Sequence, residues 1–223
     1  MSNGDSERRN TKALEPSVIA DPVELAKAEA RNGLRQYDVG MEIAAEAIER
    51  GAFRLRPSMI MRLHLEALAG ISAFAGIYRP GAVEIGKSKH SPPAAHLVPE
   101  LMEGLCDYVN DHWGASPIHL AAYVMWRLNW IHPFADGNGR TSRIASYVVM
   151  TIRAGQKMPG TPTIPEQIVG NRQPYFAALE AGDAAAADGT IDVSLMEQLI
   201  ESLLAKQLVA FFTSVGGNLS TRV

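Results

Sequence analysis

A chain of 223 residues with a net charge of -3, 47% hydrophobic and 20% charged, has room for one well-buried core and is short for two complete domains. That charge gives no footprint for general nucleic-acid binding, so any anion site must be local. The single cysteine, Cys106, excludes an internal disulfide, and its setting in LMEGLCDYV is that of a buried helix face rather than a reactive thiol. No stretch reaches the roughly 18 apolar residues of a membrane span and the N-terminus lacks an apolar signal core, so a cytoplasmic protein with no membrane partner is expected.

The first fifteen or so residues are polar and aperiodic and read as loose, until Asp21-Pro22 signals a helix start. From Val23 to about Arg50 the chain is rich in Ala, Glu, Leu and Lys, and Asn32-Gly33 predicts two short helices or one kinked helix. Pro57 opens the next helix, with Met59, Ile60, Leu63 and Leu68 at helical spacing. Tyr78 to Pro99 is dense in Pro and Gly, and its brief alternation at 82–85 predicts a small β-hairpin or extended flap. Helices follow from Pro99 to Trp113 and from the Ser116-Pro117 capping pair to His132, where the residue before Pro133 is pushed out of the α region. TSRIASYVVMTIRAG reads as a helix ending at Gly155, and another lies around EQIVGNRQPYFAALEAG. An alanine- and aspartate-rich turn is expected from Asp183 to Asp192, before a terminal amphipathic helix whose Leu199, Leu203 and Val209 suit packing on the core or on a second copy; SVGGNLSTRV reads as frayed. The fold class is all-α with one small β-hairpin.

The run NWIHPFADGNGRTSRIASY, Asn129 to Tyr147, interrupts two helices with chemistry-bearing residues. Asp-Gly-Asn-Gly alone is ordinary turn composition. A turn does not explain His132 at one helix end, nor Arg140 and Arg143, which share a face of the next helix and oppose its macrodipole unless an anion meets them. A calcium loop fails by position, since Arg140, Thr141 and Tyr147 fall at places five, six and twelve. A dinucleotide fingerprint fails because Ser142 replaces the third glycine and no strand precedes it. A zinc site would have to gather His112, His119 and His132 without a recognised spacing. A phosphate site uses every residue: amides around Gly137, Asn138 and Gly139 line an anion nest, Arg140 and Arg143 add donors, Asp136 offers an oxygen suited to Mg²⁺, and His132 can accept a proton.

The stretch HPFADGNGRTSR, His132 to Arg143, resembles the signature of Fic-domain proteins, and AGIYRPG, the Pro-rich flap, SPIHLAAYVMWRLNWIHPF and IVGNRQPYFAAL resemble their family counterparts. The resemblance covers roughly Pro57 to Leu179 and divides the chain into a disordered segment at 1–20, an N-terminal helical region at 21–55, a Fic core at 56–182 and a C-terminal helical extension at 183–223. It implies a helical fold with a flap beside the active loop, and a protein adenylyltransferase that moves AMP from ATP onto a Ser, Thr or Tyr hydroxyl. By position it implies His132 as general base, Phe134 as buried anchor and Asp136 as Mg²⁺ ligand. Asn138 with the Gly137 and Gly139 amides would hold the α-phosphate, and Arg140 and Arg143 the β- and γ-phosphates. Asn171 and Tyr175 would line the nucleotide pocket, and the flap, about Val83 to His90, would dock a target protein by strand addition. Lys87 and His90 read as solvated flap residues.

Many members restrain themselves with an inhibitory helix bearing Ser/Thr, three residues, Glu, then Gly or Asn. LAKAEARNG departs from that pattern at Leu25 and Ala30, which leaves Glu29 as a solvated helix residue or a restraint that pairs with Arg143; in TKALEP, Thr11 and Glu15 are followed by Pro16, which opposes a helix. Open alternatives are a Fic-type enzyme with a different transfer (another nucleotide, phosphotransfer or de-AMPylation) and a non-catalytic binding module. A homo-oligomer remains a candidate assembly.

Overall fold

The computed structural model describes residues 11–12 and 18–216. In chain order the elements are β1 (Thr11–Lys12), α1 (Pro22–Arg50), α2 (Pro57–Leu68), β2 (Glu84–Ile85), a 3₁₀ turn (Ala95–Leu97), α3 (Val98–Asp111), α4 (Pro117–Ile131), α5 (Asn138–Ala154), α6 (Ile164–Gly170), α7 (Gln173–Ala187) and α8 (Ser194–Ser214). The expected all-α class holds, and no described helix is long and apolar enough to cross a membrane. Of the segment expected to be loose, 1–10 and 13–17 lie outside the described residues, as do 217–223 at the frayed end.

Helix α5 is buried along most of its length and packs against α4, α1 and α2, while α4 also meets α3, α7 and α8. One apolar core runs through all of these, from Ala44 and Leu63 through Trp126, Phe134 and Tyr147 to Leu203. Cys106 belongs to it, and burial pushes its thiol up to about 12, as its apolar setting in the sequence implies. Capping follows the sequence: the Asp21 carboxylate accepts from the Val23 and Glu24 amides at 2.7 and 3.0 Å, and Ser116 Oγ accepts from His119 N at 3.0 Å.

Three expectations are corrected. Helix α1 is continuous through Asn32-Gly33, because the Asn32 amide is buried and donates to the carbonyl of Ala69 at 2.8 Å, so a tertiary bond outweighs weak local propensity. Helix α7 runs to Ala187, past the 182/183 boundary and into the turn expected at 183–192, of which only 188–192 are non-helical, since Trp126 Nε1 donates to Asp183 Oδ1 at 3.0 Å and holds that stretch on α4. The flap forms no hairpin of its own: β2 pairs antiparallel with β1, Thr11 opposite Ile85 and Lys12 opposite Glu84. After β2 the chain turns at Lys87, whose φ is 62°, and heads for the rigid Pro92-Pro93 pair instead of returning as a strand.

The C-terminal helix is tied to α4 and α3 through His119, which lies 2.6 Å from Glu197 Oε1 and 3.0 Å from the Tyr108 hydroxyl. On α8, Leu203 is buried and Val209 is exposed, while the fully buried Gln207 ties the second half of the helix to the Tyr147 hydroxyl at 3.0 Å.

Candidate active site

The loop between α4 and α5 is shaped from both ends. Helix α4 stops because His132 adopts the left-handed conformation (φ 52°, ψ 56°) ahead of Pro133, with its N–H donating to Leu128 O at 3.0 Å. Phe134 is fully buried as expected, its ring stacked on His64 with centroids 3.7 Å apart and planes 4° from parallel. The Asn138 side chain clamps the Phe134 backbone: Oδ1 accepts its N–H at 3.0 Å and Nδ2 donates to its carbonyl at 2.8 Å. That side chain, expected at the α-phosphate, is buried and bonds the loop backbone through both its oxygen and its nitrogen. What Asn138 retains for a ligand is its main-chain N–H. With Gly137 as the α5 N-cap, the N–H groups of Asn138, Gly139 and Arg140 have no intrahelical acceptor and form a ready anion nest.

His132 is buried, and burial above all holds it down to about 4, with nearby Arg79 and His90 acting in the same direction. It is neutral near pH 7. Its Nδ1 faces Asn129 O at 3.3 Å, which places the proton on Nδ1 and the lone pair on Nε2, the form a general base needs. His64 is similarly held down to about 4 by burial. Its Nδ1 accepts from Gly76 N at 2.9 Å and its Nε2 donates to Asp136 O at 3.0 Å, so this ring fixes the acidic end of the loop. Both imidazoles take up a proton on unfolding at higher pH than in the fold, so stability falls as pH drops from about 6.5 toward 4. NMR titration of the folded protein is expected to give midpoints near 4 for both rings; midpoints near 6.5 would contradict this burial.

Arg79 is buried without a carboxylate partner among its hydrogen bonds. It donates Nε to His132 O at 2.8 Å, NH1 to Gly81 O at 2.8 Å and NH2 to Pro93 O, thereby joining the His132 turn to both roots of the flap. His90 also differs from expectation. Its side chain is only 12% exposed, its Nε2 donates to Trp130 O at 2.7 Å, and it lines the cavity, so it is a flap anchor rather than a solvated residue; Lys87 is exposed as expected.

Arg140 lies between two carboxylates, with NH1 3.0 Å from Glu29 Oε1 and NH2 3.1 Å from Asp136 Oδ2. The ion pair of Glu29 is thus with Arg140, not the expected Arg143, because Arg143 turns toward Tyr175 on α7, where burial lowers its pKa. These groups line a cavity of about 420 Å³ bounded by α1, the flap, the loop and α7, a volume in the range of small-molecule sites. Tyr175 lines it, its hydroxyl accepting from Asn129 Nδ2 at 2.8 Å. Asn171 does not: it closes α6, is exposed, and leaves the next residue, Arg172, to face the cavity. Asp136 is half exposed beside the anion nest, and such a single carboxylate fits Mg²⁺ carried by a nucleotide's phosphates rather than a cation caged by protein alone.

Residues 54–150 match the family model described as the Fic/DOC family. The chain is similar to protein adenylyltransferase Fic of Drosophila willistoni, 32% identical over 123 residues, which are 52% of this chain and 24% of that protein. Protein adenylyltransferase fic-1 of Caenorhabditis briggsae is 32% identical over 127 residues, 56% of this chain and 23% of the relative. The chain therefore spans about a quarter of the length of the curated relatives it matches. Its fold is similar to a crystal structure of a Fic family protein from Desulfovibrio desulfuricans, with TM-score 0.66 and 22% identity over 91% of this chain and 57% of that one. It is also similar to Fic-1 of Caenorhabditis elegans, with TM-score 0.67 and 18% identity over 89% and 54%.

Within the matched segment 54–150, His64 and Arg79 were not singled out from sequence as supports of the loop, and Arg172 beyond it was missed by one position. Arg79 left one usable signal, its place in AGIYRPG; His64 in RLHLEAL left none, since a histidine on an apolar helix face most often reads as core.

Proposed function

We propose that this protein is a protein adenylyltransferase that uses ATP and a Ser, Thr or Tyr hydroxyl of a target protein. The observation that carries this reading is the juxtaposition, in one cavity, of a neutral buried His132 with the α5 anion nest and two arginines. The ATP phosphates would lie on the N–H groups of Asn138, Gly139 and Arg140, with Arg140 and Arg143 toward the β- and γ-oxygens and the base toward Tyr175 and Arg172. The target hydroxyl oxygen attacks the α-phosphorus while His132 Nε2 takes its proton. The new O–Pα bond replaces the bond from Pα to the bridging oxygen, and pyrophosphate leaves. Asp136 would hold Mg²⁺, whose charge offsets that of the phosphates. The phosphates' negative charge would raise the His132 pKa from its ligand-free value and strengthen it as a base. The flap's edge is the proposed docking strand for the target backbone.

The Arg140–Glu29 pair supports restraint of this activity. A carboxylate already occupies the guanidinium that phosphate oxygens would use, so the nucleotide must displace it. In cell extract, Glu29→Gly is expected to raise transfer of α-labelled phosphate from ATP about tenfold over wild type, with tighter ATP binding and no transfer of γ-label. Unchanged transfer together with unchanged ATP affinity would remove Glu29 as a restraint. Transfer of γ-label would overturn the adenylyl reading in favour of phosphotransfer.

A further inference from the structure

The flap edge has a resident strand drawn from this chain. Residues Glu84–Ile85 are paired antiparallel with Thr11–Lys12, in a register that sets Thr11 opposite Ile85 and Lys12 opposite Glu84. Ile85 also lines the cavity that holds His132, so the paired edge borders the reacting end of the site. The flap is anchored for such a role. Arg79 bonds the carbonyls of Gly81 and Pro93 at its two roots, and His90 bonds the carbonyl of Trp130 on α4. Between these anchors only β2 has ladder geometry, and the turn after it closes on itself through Ser88 N donating to Ile85 O at 3.2 Å. An edge strand held this way is pre-organised to accept one extended segment, and a second segment cannot use the same main-chain groups at the same time.

From this we infer that the N-terminal segment around Thr11–Lys12 is an intramolecular occupant of the flap edge, which a target protein must displace before it docks. The inference rests on the adenylyltransferase reading only in naming the external competitor a target. Tethering makes occupancy favourable. Residues 13–21 separate β1 from α1, and the first turns of α1 contribute Ala26, Glu29 and Ala30 to the same cavity wall as Ile85. A linker this short keeps the segment at an effective concentration on the order of millimolar at the edge, so even a weak two-residue ladder competes with a dilute target. A target with a longer matching strand would gain the bonds the segment gives up. The segment and Glu29 would then restrain different substrates: the segment excludes the protein target, and Glu29 opposes the nucleotide.

The test compares the full chain with a Thr11→Pro/Lys12→Pro variant, which keeps the length and removes the ladder N–H donors. Hydrogen exchange of the flap peptide containing Glu84 and Ile85 is expected to be about tenfold faster in the variant. A fluorescent synthetic peptide spanning Ser6 to Ser17 is expected to bind the variant at least about tenfold more tightly than the full chain, whose edge is taken. Equal exchange in the two proteins would overturn the occupancy, and equal peptide affinity would overturn the competition. Neither readout needs nucleotide transfer. Absence of α-label transfer by both proteins, with these two differences intact, would therefore fall on the activity and leave the occupancy standing.

Discussion

Gly137→Ala is expected to destabilise the fold by about 2–4 kcal/mol, through left-handed strain and overpacking together. Gly137 caps α5 at φ 74°, and a Cβ there would lie 2.5 Å from Leu68 Cδ2 and 3.3 Å from His64 Nε2. Leu68 is fully buried and cannot swing away without opening the core, while His64 is fixed by Gly76 N and Asp136 O. Relief must therefore come from the loop, which would shift the Asn138 clamp and the amides of the anion nest. Gly155→Ala is the control: it has similar strain at φ 72° but nothing within 4 Å of the added carbon, so its cost should be limited to about 1–2 kcal/mol. Urea unfolding of the two variants checks both figures. Equal midpoints would show that Leu68 yields to the new methyl and that the loop is less tightly seated than these contacts imply.

The active loop was legible because its chemistry is contiguous. His132, Asp136, Gly137, Arg140 and Arg143 sit within twelve consecutive residues, and a helix stop, a glycine N-cap and a first turn are local events that short-range sequence encodes. What supports the loop was hard to see because it comes from far along the chain and bonds to main-chain atoms. Arg79 binds three carbonyls and His64 one carbonyl and one amide, so no complementary side chain signals either partnership. Asn138 was misread for a related reason: its side chain turns back on Phe134 four residues earlier, where the motif alone suggests that it faces a ligand.

Tertiary bonds also overrode the local punctuation. Asn32-Gly33 reads as a break until Asn32 is seen to reach Ala69, and Asp183 reads as a turn residue until it accepts from Trp126. Likewise the identity of the arginine that meets Glu29 depends on how α1 and α7 approach the loop, since Arg143 is drawn to Tyr175 and Arg140 is left for Glu29. Spacing within the motif carries no information about those approaches.

The largest effect on activity is expected at His132. Removing a general base typically lowers the rate about 10²–10⁴-fold. The ring bonds the Asn129 carbonyl within its own helix end, whereas the loop is held by Phe134, Asn138 and the backbone contacts of Arg79. His132→Ala should accordingly keep the fold and the nucleotide site while losing the proton acceptor, so ATP affinity is expected to stay within about threefold of the parent. Working in the Glu29→Gly background separates loss of the base from the resting restraint. The decisive measurement is α-label transfer from ATP to protein in cell extract by Glu29→Gly and by Glu29→Gly/His132→Ala, with ATP affinity measured for both. Strong labelling by the first and none above background by the second, at similar affinity, is the predicted result; equal labelling by the two would contradict His132 as the base and with it the proposed chemistry of this cavity.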